Sequence, residues 1–182
     1  MPQWRRLILD PFVPTGRDLV GKILDFAEIS EKSVLLDLGS GDGRLVLEAA
    51  RQGVAKAVGV EINPVLVDYS TGLARRLKLP NAVFVNEDIR RISLAFATHI
   101  TAYLTTNTLR KIEPMLLTAR DDAVIVTHNY PIPGWKPVEK LSTWSSSDGK
   151  KHVLYKYIPT RSAPRSLVLR RRGMLWGSHP QI

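Results

Sequence analysis

The stretch from Val34 to Arg44, VLLDLGSGDGR, restricts the fold more than any other part of the chain. Val34, Leu35, Leu36 and Leu38 form an apolar run of the kind buried on both faces of a parallel sheet, and Asp37 interrupts it. Gly39, Gly41 and Gly43 then offer positive φ and let a ligand lie close to the backbone, before Leu45, Leu47 and Ala49 resume at helical spacing. Strand, glycine turn and helix N-terminus in this order predict a nucleotide-type crevice at the end of a central strand.

Glycine-rich turns after strands serve dinucleotides, phosphates and plain bends alike, so the charge around the turn has to discriminate. A pyrophosphate wants backbone N–H groups and no nearby anion, yet Asp37 and Asp42 flank this turn. Two carboxylates suit a cationic ligand. S-adenosyl-L-methionine is one, with an ammonium and a sulfonium at its amino-acid end and no phosphate. Asp42 also reads as a turn acid that caps the following helix.

At 182 residues, the chain has the length of one domain with a sizeable core. The absence of cysteine excludes disulfides, zinc-thiolate sites and cysteine nucleophiles. No apolar run reaches the length of a membrane span, and the opening MPQWRRLILD lacks the features of a secretory leader. These features predict a soluble, monomeric protein of the cytoplasm, or of the mitochondrion in a eukaryote. The net charge of +9 is uneven: Arg161, Arg165, Arg170, Arg171 and Arg172 follow Pro159 with no acid among them. That basic tail, 159–182, reads as a mobile, solvated segment or as a contact for nucleic acid or another acidic partner.

The segment 1–15, with Asp10-Pro-Phe-Val-Pro-Thr15 at its end, is expected to be extended and proline-stiffened, as a lead-in to the first helix or a lid over the crevice. Thr15 or Asp18 begins that helix, and Leu19, Val20, Ile23, Leu24 and Ala27 give it one apolar face. A second strand, 55–61, ends in Glu61, where a carboxylate grips ribose hydroxyls in such crevices. Asn63 caps and Pro64 starts the next helix. The third strand, 82–85, is followed by Asp88 and Ile89, an acid and an apolar residue suited to an adenine amino group and ring face. A strand at 98–105, a helix at 107–118 and a strand at 123–128 continue the alternation. Prolines 131, 133 and 137 make the next segment a loop, and strands at 139–144 and 152–158 close the chain as a hairpin. The expected fold is α/β: a Rossmann-like, seven-stranded, mostly parallel sheet over 16–158 with an antiparallel C-terminal hairpin.

PFVPT at 11–15, DLGSGDGR at 37–44, AVGVEIN at 57–63 and the Pro-x-Pro-Gly-Trp-Lys-Pro loop together resemble the class I, seven-stranded S-adenosylmethionine-dependent methyltransferases. More narrowly, they are similar to a group of protein lysine methyltransferases. That group includes the broad-specificity archaeal enzyme and the mitochondrial enzymes acting on the adenine nucleotide translocase and on the c-ring protein of ATP synthase. The resemblance implies that Asp37, Gly39 and Gly41 hold the methionine part of the cofactor, Glu61 the ribose and Asp88 the adenine. Phe12 to Thr15, with Val13, would close over it. Ser40, Ile62, Asn63, Ile89 and Tyr103 complete the implied cofactor set, and Tyr103 and Leu104 would line the passage to the methyl group.

A lysine must arrive as the neutral amine although its ammonium ordinarily persists to a pKa of about 10.4. Burial beside a sulfonium disfavours the ammonium, so no strong base is demanded. Tyr103, Tyr130 and Trp135 are the expected walls of the lysine channel, aromatic faces favouring cations. His128, at the end of the fifth strand, reads as a proton acceptor or as a structural histidine. His99, His152 and His179 are scattered in sequence and show no metal spacing. Methylation of RNA or a small molecule is the rival activity, although Ala102-Tyr-Leu-Thr-Thr106 is not the Asn/Asp-Pro-Pro-aromatic motif of exocyclic amino methylation. A non-catalytic module that binds the cofactor and a partner is the third reading.

Overall fold

The computed structural model describes residues 3–169, apart from the side chains of Gln3 and Arg6. Its seven strands are β1 Val34–Leu38, β2 Lys56–Glu61, β3 Ala82–Asn86, β4 His99–Ala102, β5 Val124–His128, β6 Glu139–Ser145 and β7 Lys150–Tyr157. They form one sheet in the order β3-β2-β1-β4-β5-β7-β6. The first five run parallel, while β7 pairs antiparallel with both β5 and β6. The expected α/β architecture with its C-terminal hairpin is therefore present. Four helices cross between strands or precede them: α1 Arg17–Phe26, α2 Arg44–Arg51, α3 Pro64–Arg76 and α4 Thr106–Leu116.

Two cores follow from the alternation of side chains along each strand. Leu36 and Leu38 of β1, Val58 and Val60 of β2, Ile100 and Ala102 of β4 and Ile125 of β5 pack against Leu109, Ile112 and Leu116 of α4. On the opposite face Leu35, Ala57, Val126 and Leu154 meet α1 and α2. Odd-numbered β1 residues thus face α1 and α2, which puts Asp37 on the same side as Leu35. Its register partner on β4 is Thr101. The chain runs outward from β1 to β3 and then returns to β4 on β1's other side, so a crevice opens at the carboxyl ends of β1 and β4.

Local chemistry sets most element boundaries. Asn63 caps α3, its Oδ1 accepting from the Val65 N–H at 3.0 Å, with Pro64 at the first helical position. Thr105, expected inside a strand, instead caps α4 and ends β4 three residues early, because its Oγ1 accepts from the Thr108 N–H. The N-terminal segment is not extended throughout: Gln3–Leu7 forms a 3₁₀ turn before the extended residues begin. A second 3₁₀ turn, Ile89–Arg91, follows β3.

The segment expected to be a mobile tail starts inside the folded body. Pro159–Ser162 is a helical turn with Pro159 and Ser162 buried, and Ala163 and Val168 join the α4 core. Ser162 ties it down, its Oγ accepting from the Ile158 N–H and its carbonyl from the Lys136 N–H. Arg170, Arg171, Arg172 and His179 lie outside the described residues.

Gly43, which precedes α2, has φ +76°, and a Cβ there would lie 2.5 Å from the Phe84 ring and 2.8 Å from Ser70 Oγ. Gly43→Ala combines left-handed backbone strain with overpacking, and should cost about 2–4 kcal/mol in urea unfolding.

Candidate active site

The crevice is walled by the carboxyl ends of β1, β2, β4 and β5 and roofed by residues 8–15. It brings together Phe12, Val13, Thr15, Asp37, Gly39, Ser40, Glu61, Ile62, Asn63 and Tyr103. Asp88 and Ile89 lie in an adjoining hollow that shares Gly39, Glu61, Ile62 and Leu104 with the main one. Gly41 is beneath the roof, where a Cβ would fall 2.2 Å from the Phe12 ring. Positions scattered from 12 to 103 thus share one continuous groove.

Asp37 is the electrostatic centre of this groove. Its carboxylate is 8% exposed and accepts one hydrogen bond, from Thr101 Oγ1 at 2.7 Å. Burial pushes its pKa up to about 7; the Thr101 bond opposes the rise, and the charges of Glu61 and Asp42 add to it. A cation entering the groove would restore the ionised form. Thr101 carries no signal in the sequence, since its role depends on sheet register; it lies opposite Asp37.

Glu61 is turned inward. Its two oxygens accept from the backbone N–H groups of Gly41 at 3.0 Å and Asn63 at 2.9 Å, which clamps the glycine turn to the end of β2. Asp42 departs from the reading as a ligand acid: its carboxylate is paired with the Arg44 guanidinium and accepts from the Arg44 N–H. Burial would raise its pKa, but the hydrogen bonds from Arg44 outweigh that and hold it low. Asp88 is likewise paired with Arg90, which holds its carboxyl below the usual range. It caps the 3₁₀ turn through the Arg90 N–H at 2.9 Å.

The roof is pinned at both ends. Asp10 accepts from Thr105 Oγ1 at 2.7 Å and from the Thr105 N–H at 2.8 Å, joining the segment to the start of α4. At the other end, Arg44 donates to the Thr15 carbonyl while held by Asp42. Phe12 spans the gap between them, one face on Gly41 and the ring still 51% exposed. Asp10 and Arg44 carry no sequence signal for this latch, because the partners are brought together only by the fold.

Trp135 is corrected from channel wall to core residue. It is 5% exposed, packs edge-on to Tyr157 at 6.2 Å and donates from Nε1 to Glu113 at 2.9 Å. The turn at Gly134, φ +78°, folds the indole inward beneath the loop. Tyr103 does line the groove, its ring tilted against that of His128 at 4.1 Å and stacked with that of Tyr130 at 6.4 Å. His128 is not solitary: His152 of β7 lies against it, Nε2 to Nδ1 2.8 Å. His99 stays apart, bonded to Thr98. Among the described residues no cluster of histidines and acids is arranged to hold a metal ion.

Comparison with known proteins agrees with this geometry. The model of the ANTKMT methyltransferase domain matches residues 37–139. A protein-lysine N-methyltransferase of Saccharolobus islandicus is 32% identical over 152 residues, covering 81% of this chain and 92% of that protein. The adenine nucleotide translocase lysine N-methyltransferase of Mus musculus is 31% identical over 142 residues, covering 75% of this chain but only 62% of that longer protein. Among solved structures, an RNA methyltransferase from Salinibacter ruber in complex with S-adenosyl-L-homocysteine superposes with a TM-score of 0.77 at 31% identity. The match covers 85% of this chain and 99% of that one.

The fold, the acidic groove and these relatives define a class I S-adenosylmethionine-dependent methyltransferase. The residues present fit that cofactor, since a buried carboxylate with a single neutral partner suits an ammonium and not a phosphate. Within that class, the chain belongs to the ANTKMT methyltransferase domain family.

Asp37 also leaves a mark on stability. The native state keeps its proton to about pH 7 while the unfolded chain releases it near 3.8, so stability falls as pH rises through that window. The shift corresponds to at most about 4 kcal/mol. Asp37→Asn keeps an acceptor for Thr101 and removes the buried charge. Urea unfolding at pH 5 and pH 8 should find the ligand-free variant gaining on wild type as pH rises, by on the order of 1–3 kcal/mol. A gap that stays constant with pH would contradict a proton held on Asp37.

Proposed function

We propose that the protein methylates the ε-amine of a lysine in a protein substrate. The observation that carries this reading is identity of about one third with protein-lysine N-methyltransferases across most of the chain. The groove supports it chemically. Its inner end is acidic and shielded, while Tyr103 and the exposed Tyr130 form an aromatic approach fit for an alkylammonium.

In this reading S-adenosyl-L-methionine supplies an electrophilic methyl group, and the chain's residues bind, orient and exclude water. Asp37 receives the ammonium of the methionine part, with Thr101 fixing the rotamer of its carboxylate. Gly39, Ser40 and Gly41 provide a close backbone surface. Glu61, Ile62 and Asn63 hold the ribose, for which the Glu61 carboxylate exchanges part of its hold on the glycine turn. Asp88 and Ile89 take the adenine, where Arg90 must share its carboxylate. Phe12, Val13 and Thr15 close over the top. Because transfer is an in-line displacement, positioning the amine and the donor is the largest contribution the protein makes.

Methylation of RNA is the second reading, since the Salinibacter relative is described as an RNA methyltransferase. The sequence after β4, Ala102-Tyr-Leu-Thr-Thr106, favours the lysine reading, as it is not the Asn/Asp-Pro-Pro-aromatic motif of exocyclic amino methylation. Labelled-methyl transfer into protein and RNA fractions of a cell extract, with mass spectrometry of the modified residue, separates the two. The expected outcome is label in lysine. Label confined to nucleotides would replace the lysine reading.

Two further outcomes follow from the residue roles. Asp37→Ala and Glu61→Ala should each weaken S-adenosylhomocysteine binding by roughly 10–100-fold in calorimetry, the value of a charge-assisted hydrogen bond, and lower transfer accordingly. Binding to wild type should strengthen between pH 5 and pH 7 as Asp37 ionises, then level off; a flat profile would remove Asp37 from the ammonium site.

A further inference from the structure

The inner face of α3 packs on the sheet through Val67, Ser70 and Ala74, which are buried. Its outer face is also apolar. Val65 is 68% exposed, Tyr69 53% and Leu77 53%, and the half-buried Leu73 completes a ridge at positions i, i+4, i+8 and i+12. A surface helix ordinarily turns charge outward, and side chains four residues apart form the kind of ridge that seats between the ridges of a second helix. Beside the ridge, the Tyr69, Leu73 and Leu77 side chains share a hollow with Leu47 of α2 and Gly21 of α1.

Gly72 stands on this face, near the middle of the helix. Its φ is not left-handed, and a Cβ there would meet nothing within 4 Å, so neither the backbone nor the packing of one chain calls for glycine. Only proline is a poorer residue inside a helix, and nothing in the single subunit offsets that cost. Bare backbone at this point lets another helix approach to about 8 Å, the short end of ordinary helix spacing. Gly21, on the far side of the hollow, is open in the same way.

The charges on α3 select the occupant. Asp68 and Arg75 are exposed on one flank of the face, two helical turns apart, and neither has a charged partner among the described residues. Turning a second copy about a two-fold axis that passes beside Gly72 lays its α3 antiparallel to the first, so that like flanks meet. Asp68 of each copy then comes opposite Arg75 of the other, and Arg76, exposed on the same face, is within reach of that carboxylate too. A parallel pair would instead set Asp68 against Asp68 and Arg75 against Arg75. Antiparallel pairing also carries the Tyr69 ring of one helix onto Gly72 and Leu73 of the other.

We propose that the protein is a two-fold homodimer joined by antiparallel pairing of α3, in place of the monomer expected from the sequence. Asp68, Tyr69, Gly72 and Arg75 do not line the methyl-donor groove, so the second copy covers the ridge and leaves the site open. The inference is independent of which substrate the enzyme methylates.

The test is sedimentation velocity of the full chain from about 1 to about 200 µM. Salt at about 0.15 M screens the +9 charge of each copy from the other beyond about 8 Å. The expected species at the upper end has twice the 20.4 kDa mass of one chain. Gly72→Gln should fill the gap between the helices and weaken association by about tenfold or more, yet raise the urea midpoint of the separated subunit, because glutamine is the better helix former. Asp68→Arg and Arg75→Asp should each weaken association by about tenfold, since the two-fold axis doubles every change of charge. Mixed together, these two variants should associate with one another, and the chain carrying both changes should dimerise as wild type does. Binding of S-adenosylhomocysteine reports that each variant is folded; should a charge variant fail to fold, Gly72→Gln decides alone. A wild type that stays monomeric throughout overturns the proposal, and so does a dimer that Gly72→Gln leaves intact. Charge variants that associate as tightly as wild type, or that do not recover on mixing, place the contact elsewhere and overturn it as well.

Discussion

A carboxylate buried without a counter-charge, Asp37, is the constraint on which the architecture of the groove depends. Its tolerable position lies where β1 and β4 part company, close enough to Thr101 for one hydrogen bond and open on the side where a ligand enters. Closing the turn tightly above it requires Gly41, on which the Phe12 ring rests, and Gly43, which abuts Phe84. Glu61 supplies the acceptor that holds the turn's N–H in place. Each of these contacts keeps water from the acid and so raises its demand for a cation.

The other acids near the groove are restrained by arginines close in sequence. Arg44 lies two residues after Asp42 and Arg90 two after Asp88, and each closes a short charged ring with its neighbour. Those pairs make Asp42 a support for the roof through the Thr15 carbonyl, and Asp88 a cap for a turn. Charge alone does not reveal these local partners, with which any ligand of either acid has to share the carboxylate.

The hairpin has a role at the site that parallel strands could not fill. Antiparallel pairing sets Leu154 opposite His128, so His152, two residues earlier on the same face, comes against its ring. The short connection from β6 then brings Asp148 back over His152, and Asp18 fastens that connection to α1. In this way α1, β5 and the hairpin combine to orient one imidazole.

The apolar run at Val34, the glycines at 39, 41 and 43, the cap and proline at Asn63-Pro64 and the three prolines after His128 were legible as strand, turn, helix start and loop. Each is a local effect of backbone geometry or of side-chain periodicity. The same holds for the acids at strand ends, whose distance from the glycine turn reflects the length of a βα unit. The end of β4 was misplaced, because Thr105 serves a strand and a helix cap equally well until Thr108 is in reach. Trp135 was misassigned because an aromatic after a glycine turn faces either way, and contact with Tyr157 and Glu113 settled the direction. Asp10 with Thr105, Asp37 with Thr101, and His128 with His152 are contacts between residues far apart in the chain. Their geometry depends on register and on packing, which are collective properties of the folded sheet, whereas the elements they join were already written in the order of neighbouring residues.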